Sequence, residues 1–404
     1  MIDPGLLADS ARSWGTPLYV TDLDIAAAHV ADWRGAFPGA LIAYAVKANN
    51  DPQLLRRLVA EGAGCEVVTA VELALARRAG CPPRRIVMNG VGKRDEELHL
   101  ALEAGVLVNA ESLDELAALL RLAAGHDEPR LGLRLNPALD AETHPHLATG
   151  AAASKFGIPL AQLPDALRLL RDARLPLESL GAHIGSALES SAGHAEMAAR
   201  LAEATASAAA FGLPPARADL GGGLLAADAA ALEALADAVH EHFPDPERLI
   251  LEPGRSLVAD AGWLLTRVVR VQPRPGDDCT YLVADAGMTE LIRPMLYDAV
   301  HPVALVAAGE PMRHGGSVHL AGPVCEAGDV LARDIERWLS AEELAVAGVG
   351  ALLAVGRAGA YGAVMASVYN GRLRPAEVVV EAGEARLSRR RETLDDLVNR
   401  DVEG

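Results

Sequence analysis

The sequence predicts an α/β protein made of a (β/α)8 barrel and a second, β-rich domain. Three observations carry that expectation. From about residue 40 to 260, short apolar or β-branched runs alternate with longer Ala/Leu/Glu/Arg-rich runs. Eight such units follow one another, which suits a closed parallel barrel better than an open doubly wound sheet. Past about residue 265 the texture changes to short strand-like runs between Gly, Pro and Asp turns.

The expected barrel strands are Leu41–Val46, Cys65–Val68, Arg85–Met88, Val106–Asn109, Leu131–Leu135, Leu180–Ile184, Ala216–Leu220 and Leu249–Glu252. Between them, apolar residues at three- and four-residue spacing predict helices over Pro52–Glu61, Ala70–Ala79, Asp95–Ala104, Leu113–Ala123, Ala161–Arg174, Ala192–Phe211 and Asp228–His242. The Ala-rich stretch at 192–211 is read as a helix rather than a linker, since alanine is the best helix former. Further strands are expected at Tyr281–Ala284, Val303–Val306, Ser317–Leu320, Ala351–Val355 and Glu377–Val380. The early run Thr16–Thr21 also reads as a strand and is assigned to the β-rich domain. The expected division is a barrel at 25–265, with 1–24 and 266–404 forming the other domain.

A chain of 404 residues exceeds one ordinary core, and its 50% hydrophobic content gives ample surface to bury. Lys+Arg 37 against Asp+Glu 55 leaves a formal charge of −18, which argues against nucleic acid and anionic membrane as partners. Cys65, Cys81, Cys279 and Cys325 are scattered without a CxxC pair and read as reduced thiols. With no basic start, signal-like segment or spanning stretch, a soluble, cytoplasmic protein is expected.

Most of the candidate functional groups fall at the ends of expected strands. Lys47 ends the first, His183 and Ser186 follow the sixth, Gly221–Gly223 follow the seventh, and Glu252–Arg255 close the eighth. A barrel builds its active site at that face, so residues scattered over some two hundred positions converge on one mouth. Each has an ordinary alternative. A lysine after a strand is commonly solvated, a glycine run can serve a tight turn, and Glu252 could cap a helix. His183 could be a satisfied core histidine, and Cys325-Glu326 a buried thiol beside a surface acid. Taken together, however, the groups supply an amine, an anion cradle, an acid and a proton donor, the needs of a pyridoxal phosphate enzyme. His144-Pro145-His146 lacks a helpfully spaced third ligand, so no metal is expected.

The motifs Tyr44–Asn49, Asn136–Asp140 with Thr143–Pro145, Ser154–Ile158, His183–Ser186, Gly221–Gly223, Glu252–Arg255, Asp285–Met288, Leu291–Pro294 with Tyr297, Gly322–Glu326 and Ala358–Gly362 form one ordered set. In this the chain resembles the fold-type III (alanine racemase-like) pyridoxal phosphate decarboxylases, and within them the diaminopimelate decarboxylases, from about Thr16 to Arg391. The resemblance implies pyridoxal 5'-phosphate attached to Lys47, with Ser186, Gly223, Pro253, Gly254, Arg255 and Tyr361 around the cofactor. It implies that Glu252 pairs with the pyridine nitrogen, that His183 stacks on the ring and that Cys325 donates a proton. Arg255, Arg293, Tyr297, Glu326 and Tyr361 would line the substrate site. It further implies a homodimer with shared sites, Cys325 and Glu326 reaching across, and an amino-acid substrate, meso-diaminopimelate, decarboxylated to L-lysine. Four positions depart from the family's usual residues: Glu66 (usually Asp), Ala187 (Gln), Leu225 (Gly) and Val368 (Asn).

Rival readings are a related decarboxylase acting on a D-basic amino acid, carboxynorspermidine or a carrier-bound amino acid, a racemase on the same barrel, and a non-catalytic homologue binding a protein. Retention of Lys47, Glu252, Cys325 and Tyr361 speaks against the last. Arg293 speaks against simple diamine-forming enzymes, which have no carboxylate for it to meet.

Overall fold

The computed structural model describes residues 3–139, 150, 153–185, 191–224, 228–274, 276–314 and 316–401. Two compact units emerge, one of residues Ala27–Leu257 and one of Met1–Ala26 with Val258–Gly404.

The first unit is a closed parallel barrel. Its strands are Leu41–Ala45, Gly64–Val67, Ile86–Met88, Leu107–Ala110, Leu131–Asn136, Ser179–Ala182, Arg217–Asp219 and Leu249–Leu251. Each pairs in parallel with the next, and the eighth closes on the first through Ile250 opposite Leu41 and Leu251 opposite Ile42. The strands are buried almost throughout, which is why they read as apolar runs rather than as alternating patterns. Helices intervene at Pro52–Ala60, Ala70–Arg78, Asp95–Glu103, Leu113–Ala123, Leu163–Asp172, Ala192–Ala210 and Ala229–His240. Several start on a side-chain cap: Asp51 accepts from the amides of Gln53 and Leu54, Thr69 from Glu72, and Ser112 from Glu115. Leu41, Ala43, Val87, Leu107 and Ile250 form an apolar layer inside the ring. Buried polar side chains come from the strand ends above it.

The second unit holds a nine-stranded sheet. Its spine is the strand Gly262–Arg274, antiparallel to Leu18–Asp22, Cys279–Ala284 and Leu352–Val355. Leu18–Asp22 also runs parallel to Ala376–Glu381. One core cluster gathers Tyr19, Leu264, Val268, Leu282, Leu320 and Leu353, and another Leu7, Val20, Leu265 and Val378.

Local structure departs from the sequence reading in several places. Lys47 does not end a strand but lies in the 3-10 turn Val46–Ala48. The long strand at 262–274 was not expected, because it runs from a buried inner half into an exposed outer half across the expected domain boundary at 265. The helices Pro4–Trp14 and Leu23–Ala36 were also missed, although Asp3 before Pro4 is a usable start signal: Asp3 caps the amide of Gly5. No helix among the described residues is long and apolar enough to cross a membrane.

Candidate active site

The barrel unit places Lys47, His183, Gly223, Glu252, Pro253, Gly254 and Arg255 at strand ends or just beyond. Arg293, Tyr297, Cys325, Glu326 and Tyr361 belong to the other unit. Ser186, Ala187, Leu225 and the His144/His146 pair lie outside the described residues.

Lys47 Nζ donates to Glu66 Oε2 at 2.5 Å, and Glu66 is almost wholly buried at the end of the second strand. On its other oxygen, Glu66 accepts from Asn89 Nδ2 at 3.3 Å. The same nitrogen of Asn89 donates to Glu252 Oε1 at 2.7 Å. Asn109 Nδ2 reaches both Asn89 Oδ1, at 2.9 Å, and Asp219 Oδ2, at 3.3 Å. Asp219 Oδ1 accepts from the Gly221 amide at 2.9 Å. Three carboxylates from three strands thus share one polar cluster.

Burial dominates their protonation. It pushes Asp219 up to about 6, against hydrogen bonds from the Gly221 amide and Glu252 that lower it. Burial also pushes Glu252 well above the usual carboxylate range, reinforced by Asp219 and Glu66 and opposed by Lys47 and Arg134. His183 moves the other way. Loss of water around the ring, then Arg134 and Lys47, hold it well below the ordinary imidazole range.

The glycines give this cluster its room. Gly221 has a φ of +61°, and a Cβ there would come 2.6 Å from His183 Nδ1. A Cβ on Gly222 would stand 2.2 Å from the Glu252 carbonyl oxygen. The Gly222 amide donates to His183 Nδ1 at 3.3 Å, while its carbonyl lies 3.2 Å from His194 Nε2. The imidazole of His183 is therefore seated on the glycine turn itself. Arg255 is buried and opens the short helix Arg255–Val258, while the Pro253 carbonyl accepts from the Ala45 amide at 3.0 Å.

Sequence reasoning missed Asn89, Asn109, Glu111, Arg134 and Asp219. Arg134 Nη1 donates to Glu111 Oε1 at 3.1 Å, and its guanidinium lies 5.2 Å from the Phe156 ring centroid. These polar residues sit within the barrel strands or just past them, where an all-apolar run would be expected. That interruption was the available signal, and Asp219 before Leu220-Gly221 was the clearest case.

In the sheet unit, Arg293 is buried at the start of the helix Arg293–Tyr297. Its Nη1 lies 3.3 Å from His301 Nε2, and His301 Nδ1 lies 2.9 Å from the Gly356 carbonyl oxygen. A carbonyl only accepts, so Nδ1 carries the hydrogen and Nε2 is left to accept from the guanidinium. Cys325 is exposed rather than buried, and so is Glu326. Their loop is shaped by buried Asp329, which accepts from the amides of Val324 at 2.8 Å and Met288 at 2.6 Å. Asn370 Oδ1 accepts from the Cys325 amide at 3.0 Å, just after the departing position Val368. Tyr361 is half-buried with a φ of +56°, a conformation unusual for a side-chain-bearing residue.

These residues fit pyridoxal phosphate. An amine stands at the barrel mouth, a buried carboxyl whose pKa is raised by burial is linked to it through Glu66 and Asn89, and a glycine turn admits no side chain beside His183. A lysine-bearing parallel barrel of this kind defines a class, and residues 23–259 match the family model described as "Pyridoxal-dependent decarboxylase, pyridoxal binding domain". The diaminopimelate decarboxylase of Deinococcus radiodurans is 40% identical over 396 residues, covering 97% of this chain and 97% of that protein. That of Aquifex aeolicus is 37% identical over 401 residues, with 97% and 93% covered. Among solved structures, diaminopimelate decarboxylase from Helicobacter pylori complexed with L-lysine superposes with a TM-score of 0.87 at 31% identity, covering 97% of this chain and 98% of that one. The chain belongs to the diaminopimelate decarboxylase family of pyridoxal-dependent decarboxylases. It is a decarboxylase whose cofactor is pyridoxal 5'-phosphate.

Proposed function

We infer that the chain removes one carboxylate of meso-diaminopimelate to give L-lysine and CO2, the closing reaction of lysine biosynthesis. The observation that carries this reading within the family is Arg293: a buried guanidinium oriented through His301. A desolvated, oriented arginine is matched by a carboxylate, and the substrate's distal carbon bears one that a simple diamine precursor lacks.

Bound pyridoxal phosphate supplies an electron sink for the pair released when the carbon–carboxylate bond breaks. The chain's part is to hold, orient and exchange protons. Lys47 is assigned to covalent attachment, close to Glu66. Glu252 is assigned to the pyridine nitrogen: a carboxyl that retains its proton so strongly in the buried cluster holds a shared proton there. His183, kept neutral, offers a flat face above the glycine turn without adding positive charge. The phosphate is assigned to Ser186, the backbone at Gly223, Pro253 and Gly254, Arg255, and Tyr361. Arg255, Arg293, Tyr297, Glu326 and Tyr361 are assigned to the substrate, and Cys325 to returning a proton to carbon.

Cys325 and Glu326 are exposed on a loop braced by Asp329, which suits delivery of both to the site of a second copy. We therefore assign the working unit as a homodimer with shared sites. The deciding experiment compares kcat/KM for meso-diaminopimelate, D-lysine, D-ornithine and carboxynorspermidine. Clear preference for the first is expected. Preference for another would move the assignment to that substrate.

A further inference from the structure

Asn89 stands between the two groups assigned to opposite ends of the cofactor. Through one nitrogen it donates to Glu66, the partner of Lys47, at 3.3 Å, and to Glu252 at 2.7 Å. Its own oxygen accepts from Asn109 at 2.9 Å, so turning the amide over would set its NH2 against the Asn109 NH2 and its oxygen toward Glu66. Both asparagines are almost fully buried, at 3% and 1% exposure.

The backbone around Asn89 is fixed as firmly. Its amide donates to the Val67 carbonyl at 2.9 Å, and the next amide, Gly90, donates to Glu111 Oε1 at 2.6 Å. Lys93, with no exposed side-chain surface, ties the Gly90 carbonyl at 2.5 Å and the Asn109 carbonyl at 3.1 Å while paired with Glu115. Asn109 in turn rests on Gly132, where any Cβ would collide with its Oδ1. This much buried polar structure around one amide is costly to assemble unless its geometry is used.

We propose that Asn89 is a positioning residue that sets Glu252 and Glu66 in register with each other, so that the acid assigned to the pyridine nitrogen and the partner of the lysine assigned to attachment are held by one side chain. The inference rests on the assignments of Lys47 and Glu252 above. An uncharged donor is what such a place requires. Like charges in a buried cluster repel, and a two-hydrogen amide satisfies both carboxylates without adding a charge of its own. Aspartate in its place would have the same size but would add a further carboxylate.

The test is a double-mutant cycle on cofactor affinity. Pyridoxal phosphate is titrated into cofactor-stripped wild type, Asn89→Ala, Glu252→Gln and the double variant, following absorbance. Asn89→Ala should weaken affinity roughly ten- to hundred-fold, the range for a lost hydrogen bond to a charged group. The two substitutions should be strongly non-additive, because Asn89 acts through Glu252. The pH dependence of the visible band should shift in the single asparagine variant. Asn89→Asp should be at least as damaging as alanine. Additive effects, or an Asn89→Ala protein with wild-type affinity and an unmoved spectrum, overturn the proposal. Should Asn89→Ala not fold, Asn89→Ser enters the same cycle with the same criteria. If Glu252→Gln alone leaves affinity and spectrum unchanged, the assignment of Glu252 fails, which is a separate result from additivity.

Discussion

Lys47 and Glu66 form a close ion pair, Nζ to Oε2 at 2.5 Å, in which the carboxylate is buried and the amine half-exposed. A buried acid needs a cation or several donors, and Glu66 has Lys47 on one oxygen and Asn89 on the other. The amine is thus held at the barrel mouth, aimed by a residue one methylene longer than the aspartate usual in the family. The expected outcome is covalent attachment there. Borohydride treatment of the yellow protein should fix the cofactor on the peptide containing Lys47, and peptide mass mapping reads it directly. A label on another lysine refutes the assignment.

Shared sites predict complementation. Lys47→Ala and Cys325→Ala chains should each be inactive alone, since one lacks the lysine assigned to attachment and the other the thiol assigned to proton return. After subunit exchange, confirmed with two different tags, mixed dimers should recover part of the activity through one intact site. Verified heterodimers without activity would count against donation of Cys325 across chains.

The barrel was legible because parallel strands buried on both faces leave continuous apolar runs, and His183, the glycines and Glu252 punctuate their ends, with Lys47 in the turn past the first. The cluster beneath was not. Asn89, Asn109 and Asp219 gain meaning only when three strands bring them into hydrogen-bonding distance, and no local pattern encodes that closure. The strand at 262–274 was hidden for a related reason. Its inner residues are buried while its outer residues alternate toward solvent, so neither period holds along its whole length. The exposure of Cys325 depends on the loop organised by Asp329, again a tertiary contact.

Gly221→Ala should be damaging for two separable reasons. The φ of +61° disfavours any side chain, and the new Cβ would crowd His183 at 2.6 Å. Gly80 provides the control, with a φ of +88° and nothing within 4 Å of its would-be Cβ. Gly80→Ala should cost about 1–2 kcal/mol from backbone strain alone. Gly221→Ala should lose about 1–3 kcal/mol more from overpacking and should also weaken cofactor binding. Urea unfolding and a pyridoxal phosphate titration measure the two effects. Equal losses in the two variants would exclude crowding of His183.

The protonation of Asp219 predicts a pH signature in the cofactor-free protein. Its carboxyl titrates at about 6 when folded, against 3.8 for an ordinary aspartate, so the folded state holds the proton more tightly. The associated stabilisation is fully present below about pH 3.8 and is lost as pH rises through about 6. A shift of that size corresponds to roughly 3 kcal/mol. Other carboxylates titrate in the same interval, so the informative quantity is a difference between proteins. The stability gap between wild type and Asp219→Asn, from urea midpoints at pH 4.5 and pH 7, should move in favour of the variant at the higher pH. A gap independent of pH would contradict the buried, proton-retaining state.

We assign to Arg293 the reading of the substrate's distal carboxylate, and that assignment predicts the substrate choice. Arg293 is buried, and His301 accepts from its Nη1 while anchored by the Gly356 carbonyl, so the fork has little freedom to follow a different ligand. Bound cofactor would draw electrons from the scissile bond in one orientation of that bond only. Holding the distant carboxylate is one way to impose that orientation, so losing the contact should lower turnover as well as affinity. Arg293→Ala should reduce kcat/KM for meso-diaminopimelate by about 2–5 kcal/mol in transition-state binding, the range for truncating one partner of a buried charge pair. D-Lysine lacks the distal carboxylate and should suffer far less. Measuring kcat and KM for both substrates in both proteins separates the outcomes. Equal harm to the two substrates would mean that Arg293 does not read the carboxylate, and a wild type preferring D-lysine would move the assignment to a decarboxylase of basic D-amino acids.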